Sequence, residues 1–385
     1  MSINRKSIAI FGSTGSIGVN ALKVIAQHRE FYEIQALAAG SDVKSLIRQA
    51  RIFKPKYAAI NNESHFDELK AGLKDFPEIE ILAGSAAIND LAKIKFDFFL
   101  SAIVGIAGLI PTFNAIKSGS DIGMANKECL VAAGDLMLNE AKKSGSKILP
   151  IDSEHNAIFQ IFEHKNLDKI KSITLTASGG PFLHFSDDQM KNITIQQAIK
   201  HPNWKMGAKI SVDSATMMNK SLEVIEAFRL FPVASKQIEV IIHPESIIHG
   251  MVDYSDGSTL AMLSAPNMQV PIAHALAYPN RITIDHPKLD LAEIASLNFQ
   301  KPNEKQFPAL KLVREVLKTG GNAPCIFNSA NEIAVEKFLK EEINFEQIVQ
   351  NVEKALNKIP FAKIESLEDV LACDQMIQSQ NTNKN

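Results

Sequence analysis

Asp152 and Glu154 stand two residues apart, immediately after the strand-like segment 147–151, and a dense polar run leads from Ser214 through Asn219 and Lys220 to Glu223. On an extended chain, side chains two apart share one side, and paired carboxylate oxygens are ligands for a hard divalent cation. Glu223 supplies a third candidate ligand from a distant part of the chain. The alternative for Asp152-Ser153-Glu154 is an acidic helix N-terminus. Asn219, Lys220 and Glu223 lie three and four apart at what reads as a helix opening, which turns them to one face. Lys220 and Asn219, with serines such as Ser178 and Ser214, suit a dianionic phosphate, the lysine giving charge and the others directional donors. The alternative is a surface ion pair of Lys220 with Glu223.

Near the start of the chain, Gly12-Ser13-Thr14-Gly15-Ser16-Ile17-Gly18 separates a short apolar run from a helical pattern. Glycines at such a turn let the backbone approach a pyrophosphate, the helix behind them directs its free amides at negative charge, and Ser13, Thr14 and Ser16 add hydroxyls. The spacing is a variant of the usual Gly-x-Gly-x-x-Gly; an ordinary tight strand-to-helix turn is the alternative. Where the second strand should end, NAD-binding chains place an acid for the ribose. Here the residues are Gly40-Ser41-Asp42: Ser41 tolerates the extra phosphate of NADP, and Asp42 repels it if its side chain faces the pocket.

Three further places carry chemistry-bearing residues. His201-Pro202-Asn203-Trp204-Lys205-Met206-Gly207 holds the chain's one tryptophan. A proline and aromatic loop of this kind can cover a ligand and exclude water, with His201 as a hydrogen-bond donor, or it can be anchored by a buried Trp204. Asn126-Lys127-Glu128 follows a strand-like segment, 121–124, at the edge of the cofactor region, where Lys127 can neutralise charge on cofactor or substrate or else begin a solvated helix. His249 either contacts substrate or satisfies a strand end.

The elements that must position these residues alternate. Residues 7–11 read as a strand, 19–27 as a helix, 34–38 as a strand, 43–50 as a helix, 57–60 and 96–101 as strands, and 109–118 as a helix. This pattern favours a parallel sheet covered on both faces. Beyond the strand at 147–151 the side-chain chemistry changes from glycines to carboxylates, which sets the first domain as 1–150. Strands at 173–177, 238–242, 249–254 and 259–263, the last two joined at Asp256-Gly257, with intervening helices, make 151–286 an α+β domain whose sheet can supply a dimer surface. Residues 287–308 read as a connection interrupted by prolines, and 309–385 as a small helical domain with helices at 309–317, 323–339 and 345–356. The polar last dozen residues are expected to fray.

With 385 residues, 45% of them hydrophobic, the chain is long enough for several cores. Its 41 basic and 43 acidic residues nearly cancel to a net charge of −2, which argues against nucleic acid as principal partner. Cys129, Cys325 and Cys373 are odd in number and far apart, as expected in a reducing compartment, and give no zinc-site spacing. The apolar stretches are broken by glycine and serine and fall short of a membrane span. With the glycine turn reached by residue 12, no presequence is expected and the cytoplasm is the expected location.

Taken in order, Gly-Ser-Thr-Gly-Ser-Ile-Gly, Ala125-Asn126-Lys127-Glu128, Pro150-Ile151-Asp152-Ser153-Glu154-His155, Ala177-Ser178-Gly179-Gly180-Pro181-Phe182, the 201–207 loop, Asp213-Ser214-Ala215-Thr216-Met217-Met218-Asn219-Lys220 and Asn328-Ser329-Ala330-Asn331-Glu332 closely resemble the 1-deoxy-D-xylulose 5-phosphate reductoisomerases. The resemblance spans essentially the whole chain. It implies a Rossmann-like NADPH-binding domain, a central α+β catalytic domain with a dimerisation sheet, a C-terminal helical domain, and a homodimer. It assigns Asp152, Glu154 and Glu223 to Mg²⁺ or Mn²⁺, with Ser153 and Lys127 at the substrate beside the ion. Ser178, Ser214, Asn219 and Lys220 fall to the substrate phosphate, with His249 a phosphate-side contact. His201 and Trp204 belong to the loop over the substrate. Gly12, Ser13, Thr14, Gly15, Ser16, Ile17, Gly40, Ser41, Asp42, Asn126, Lys127, Glu128, Met206 and Gly207 belong to the NADPH side.

The implied reaction breaks the bond between C3 and C4 of 1-deoxy-D-xylulose 5-phosphate and re-forms a carbon bond, then reduces the branched aldehyde to 2-C-methyl-D-erythritol 4-phosphate. Two places depart from the family pattern: Ser41-Asp42 replaces a basic or amide-bearing pair, which bears on preference for NADP over NAD, and Gln269 stands where an arginine is common. The competing readings are a related NADP-dependent oxidoreductase acting on another phosphorylated compound, and a noncatalytic nucleotide-binding regulator.

Overall fold

A computed structural model describes residues 5–200, 204 and 207–382. His201 and Met206 therefore lie outside the described residues. The chain forms two compact units: one is built from Met1–Cys129, Met137–Asn156 and Asn267–His286, the other from Leu130–Leu136, Ala157–Pro266 and Pro287–Asn385.

The first unit holds seven strands, β1 (Lys6–Phe11), β2 (Tyr32–Ala39), β3 (Tyr57–Ile60), β4 (Glu80–Ala83), β5 (Phe98–Ser101), β6 (Asp121–Met124) and β7 (Ile148–Pro150), in the order β4-β3-β2-β1-β5-β6-β7. All neighbouring pairs are parallel. A parallel sheet is buried on both faces, and the central strands obey: in β1 Ile8, Ala9, Ile10 and Phe11 are buried, and in β5 all of Phe98, Phe99, Leu100 and Ser101 are.

The helix Ser16–Ala26 follows the glycine turn and buries Ala21, Leu22, Val24 and Ile25. Burial of a Leu, Val or Ile side chain contributes about 1.5–3 kcal/mol, enough to fix this helix although no side chain caps it. The helix Gln269–Ala277 returns late in the chain and packs against it. Lys6 Nζ donates to Leu276 O at 3.0 Å and Asp285 N to Gln27 Oε1 at 3.0 Å, tying this returning segment to the first strand and helix.

In the second unit β8 (Ile170–Ala177), β9 (Ile238–Ile242), β10 (Ile248–Tyr254) and β11 (Thr259–Leu263) form a sheet in the order β11-β10-β8-β9. β10 is antiparallel to both β8 and β11, and β8 is parallel to β9. The buried helix Met218–Leu230 packs on β8 and β9, and the helices Ala309–Thr319, Ala323–Leu339, Phe345–Lys358 and Leu367–Thr382 make up the C-terminal part. The architecture is the expected one: a Rossmann-like sheet and helix arrangement, a central α+β part and a helical C-terminal region.

The end of the chain differs from expectation. The helix Leu367–Thr382 runs into the last dozen residues, anchored by Val370, Cys373 and Ile377, which recur at helical spacing and are all buried; 383–385 lie outside the described residues. No helix among the described residues is long and apolar enough to cross a membrane.

Candidate active site

In the first unit, the chain leaves β1 through Gly12, whose φ of +93° and position leave no room for a side chain: a Cβ there would lie 2.2 Å from Ala102 O. Gly18 is equally constrained, 2.4 Å from Gly12 O, so the helix can press against the turn. Gly15 is different. Its Cβ position meets only Gly12 O at 3.4 Å, and the residue is exposed with Ser16 beside it. The helix it begins has no acidic residue in its first turn and no side chain on its first amides. An anion fits there. Ser13 is turned inward, fully buried, with its backbone held by Ala38 O at 2.9 Å and by Gln49 Nε2 at 2.8 Å, whereas Thr14 is half-buried.

At the end of β2, Gly40, Ser41 and Asp42 are exposed. Asp42 caps the helix Val43–Phe53, its Oδ1 accepting from Ser45 N at 3.0 Å, and these hydrogen bonds from Ser45 hold its carboxyl below the usual range, helped by the charges of Arg48 and Lys44.

At the end of β7 the chain turns directly into the helix Ser153–Ile161. Asp152 and Glu154 thus stand at a helix start rather than on an extended strand: Glu154 N donates to Asp152 Oδ1 at 3.3 Å, and Ser153 Oγ to Glu154 Oε2 at 2.5 Å. Asp152 is held on both oxygens, by Lys127 Nζ at 2.6 Å on Oδ2 and by His155 Nδ1 at 3.2 Å on Oδ1. Lys127 opens the helix Lys127–Ser144, which Asn126 caps, and Glu128 is buried beside it. Asn156, one residue past His155 and equally buried, donates to Pro150 O at 2.9 Å and fixes the strand end from which Asp152 emerges. It also lies 3.2 Å from His274 Nδ1. Burial, then the nearby Arg281, lowers the His274 pKa to about 4, so this imidazole is neutral and can accept.

In the second unit, the helix Met218–Leu230 begins after Met217, in the left-handed region at φ +60°. Asn219 Nδ2 and Lys220 Nζ both donate to the carboxylate of Glu223. Lys220 and Glu223 are 3% and 1% exposed, so the pair is buried and not the surface pair considered as an alternative. After β8, Gly179 and Gly180 both have positive φ, and Gly180 N donates to Ser178 Oγ at 3.2 Å. A Cβ on Gly180 would meet Ser214 O at 3.1 Å, so the Ser178 turn lies against the end of the helix Ala208–Ala215, which begins after Gly207. His249 is buried with Nε2 3.0 Å from Ser264 Oγ, and Trp204 meets it edge-on with ring centroids 6.4 Å apart.

Two supports were missed by the sequence reading. Asp213 is buried between Lys209 Nζ at 2.9 Å and Asn331 Nδ2 at 2.8 Å, so the Asn328–Glu332 motif of the helical region anchors the helix Ala208–Ala215, which carries Ser214. The other is the loop 102–105 after β5. Its signal in the sequence is the glycine pair of Ile103-Val104-Gly105-Ile106-Ala107-Gly108.

A glycine turn at the carboxyl end of the central strand of a parallel sheet, with buried carboxylate and lysine pairs at other strand and helix ends, defines a dinucleotide-dependent α/β enzyme. Family models for 1-deoxy-D-xylulose 5-phosphate reductoisomerase match residues 8–134, and those for its C-terminal domains match 148–231 and 263–380. The chain is 47% identical over 386 residues to a 1-deoxy-D-xylulose 5-phosphate reductoisomerase of Acinetobacter baumannii, covering 97% of each. It is 46% identical over 373 residues to one from Bacteroides fragilis, covering 97% of this chain and 96% of the relative. Among solved structures, the reductoisomerase of Zymomonas mobilis in complex with NADPH superposes with a TM-score of 0.93 at 42% identity, over 99% of this chain and 98% of that one. A reductoisomerase in complex with NADPH, fosmidomycin and magnesium gives 0.93 at 43%, over 98% and 97%. The chain belongs to the 1-deoxy-D-xylulose 5-phosphate reductoisomerase family.

Proposed function

We propose that this chain converts 1-deoxy-D-xylulose 5-phosphate into 2-C-methyl-D-erythritol 4-phosphate with NADPH and Mg²⁺ or Mn²⁺, a step of non-mevalonate isoprenoid precursor synthesis. The observation that carries this is family membership over nearly the full chain together with an open glycine turn and a carboxylate site built from oxygen donors. We assign NADPH binding to residues 1–150, substrate, metal and dimer contacts to 151–286, and a helical domain at 309–385 joined through 287–308. A homodimer in the cytoplasm is the proposed working form.

The residues present fit both groups. Gly15 leaves space for the pyrophosphate beside the uncapped first amides of the helix Ser16–Ala26, with Thr14, Ile17 and Gly40-Ser41 as further contacts. Asp152, Glu154 and Glu223 are the proposed ligands of the divalent ion, an all-oxygen set suited to Mg²⁺ or Mn²⁺. When bound, the ion polarises substrate oxygens during carbon–carbon rearrangement and NADPH supplies hydride. Lys127 holds Asp152 in one orientation and sets positive charge beside the developing oxyanion. Ser178, Ser214, Asn219 and Lys220 take the phosphate, whose distance from the reacting carbons lets its binding energy orient the substrate. His201 and Trp204 close over it and exclude water, with Met206 and Gly207 toward the nicotinamide.

The test is NADPH oxidation by the purified chain with 1-deoxy-D-xylulose 5-phosphate and Mg²⁺ or Mn²⁺, with product identification. Metal-dependent formation of 2-C-methyl-D-erythritol 4-phosphate is expected. Folded, NADPH-binding protein that leaves this substrate unchanged would refute the assignment.

A further inference from the structure

The helix Ala208–Ala215 carries its charges against its own dipole: Lys209 stands in the first turn and Asp213 in the last, the reverse of the order that stabilises a helix. Asp213 is nevertheless only 1% exposed, with Lys209 Nζ 2.9 Å from Oδ2 and Asn331 Nδ2 donating to Oδ1 at 2.8 Å. Asn331 is fully buried on the helix Ala323–Leu339, and its own Oδ1 has no hydrogen-bond partner among the described residues. A buried acceptor left unpaired costs free energy, and a buried ion pair is often no more stabilising than apolar side chains of the same volume. Stability therefore does not account for this row of three polar groups, whereas fixing the place of a helix does. Resting on the assignment of Ser214, Asn219 and Lys220 to the substrate phosphate, we propose that Asn331 and Asp213 are positioning residues of that site, acting through the backbone that carries its donors.

The connection from Asp213 to the donors is short on every side. Ser214 is the next residue, so a rotation of the helix about its axis displaces the hydroxyl directly. Thr216, buried at the end of the same helix, donates its hydroxyl to Val212 O at 3.0 Å and accepts from Met218 N at 3.3 Å. That hydroxyl joins the helix to the start of Met218–Leu230, where Asn219 and Lys220 stand. The Ser178 turn rests on the same place, since a Cβ on Gly180 would lie 3.1 Å from Ser214 O and 3.2 Å from Ala215 Cα. The helix Ala323–Leu339 packs on both Ala208–Ala215 and Met218–Leu230, and Asn331 makes the polar contact within that packing. Apolar contacts hold helices together but tolerate small slips, while a hydrogen bond to a buried carboxylate loses strength steeply as distance and angle change. Donors that must converge on one dianion need the second kind of constraint. Lys209, a quarter exposed, closes the other oxygen of Asp213 and leaves the carboxylate a single orientation.

The measurement is steady-state kinetics with NADPH and Mg²⁺ at saturation, together with the inhibition constant of inorganic phosphate and calorimetric binding of NADPH. Asn331→Leu is expected to raise the KM for 1-deoxy-D-xylulose 5-phosphate and the phosphate inhibition constant about tenfold each, with kcat and NADPH affinity changed less than about twofold. The exchange Asp213→Asn with Asn331→Asp reverses donor and acceptor, and should bring KM back to within about threefold of wild type. If Asn331→Leu does not fold, Lys209→Gln decides: it loosens the other oxygen of Asp213 and should show the same split at about threefold. A variant that lowers only the thermal midpoint, or that weakens NADPH and phosphate equally, would overturn the inference. Lys220→Met, measured alongside, separates the two readings. If it leaves KM and phosphate inhibition unchanged, the phosphate assignment fails and this inference with it; if it raises both while Asn331→Leu raises neither, the inference alone fails.

Discussion

Lys127 Nζ lies 2.6 Å from Asp152 Oδ2, with side chains only 9% and 12% exposed. Truncating one member of so enclosed a pair leaves the other uncompensated, at a typical cost of about 3–5 kcal/mol for a fully buried pair and less here. Lys127→Gln should therefore lower the thermal midpoint in metal-free buffer, with Mg²⁺ restoring much of it by neutralising Asp152. Turnover should remain depressed by about 10²-fold even at saturating metal, since the positive charge at the reaction centre is gone. Full turnover in the variant would show that Lys127 serves folding only.

Gly15 and Gly18 separate binding from folding. Gly15→Ala has space in the free protein and should fold with near-normal stability while NADPH affinity drops about tenfold or more, as the methyl group occupies the approach to the amides. Gly18→Ala drives a Cβ into the backbone of Gly12 and Ser13, and is expected to yield little folded protein. Calorimetry and circular dichroism on the pair check both halves.

Asp42 caps a helix with a carboxylate that would oppose a 2′-phosphate bound at the end of β2. Asp42→Asn keeps the cap and removes the charge, so NADPH affinity should rise a few-fold with NADH unaffected; Asp42→Ala should lose about 1 kcal/mol of stability. Because the carboxyl is held below its ordinary pKa, the cap's contribution is complete above the unfolded value and is lost as pH falls through the folded one.

Lys220 and Glu223 share a buried pairing with Asn219. Lys220→Met should raise the KM for the phosphorylated substrate at least about tenfold, because a buried charge-assisted contact to phosphate is lost. It should also lower the urea midpoint by leaving Glu223 short of its cation. A change in kcat alone would argue against a phosphate role.

The neutral His274 gives stability a pH slope. Its folded pKa of about 4 lies below the unfolded value, so between the two the unfolded chain binds the extra proton and stability falls as pH drops. Protonation would also set a new donor against the Asn156 amide. His274→Gln should flatten unfolding free energy over that window, as measured by urea titration at several pH values.

Much of this was legible in the sequence because local pattern and tertiary role agreed. β9 and β11 occupy the expected residues, and the helix Ala323–Leu339 matches end to end. β4 was not seen: Glu80–Ala83 is a short edge strand with no alternation to mark it, recognisable only from its pairing with β3. The strand-like reading of Asp152 and Glu154 failed for a related reason, since the carboxylates that look like paired ligands on a strand are also good helix-start residues. The burial of Lys220 with Glu223 and the engagement of Asn126 by the loop 102–105 depend on packing across 20 residues or more and leave no periodic trace.

The first unit is discontinuous: Asn267–His286 joins β1 and the helix Ser16–Ala26, which were made some 250 residues earlier. During synthesis the glycine turn and the strands emerge first, but the helix Gln269–Ala277, which packs on the helix Ser16–Ala26 and on β6 and β7, is still untranslated until most of the second unit has been made. Nascent chains should therefore carry an exposed apolar face on the cofactor sheet through much of translation, an interval in which chaperone capture competes with folding. Truncation before residue 267 is then expected to abolish soluble NADPH binding even though the entire glycine turn and all seven strands of its sheet are present.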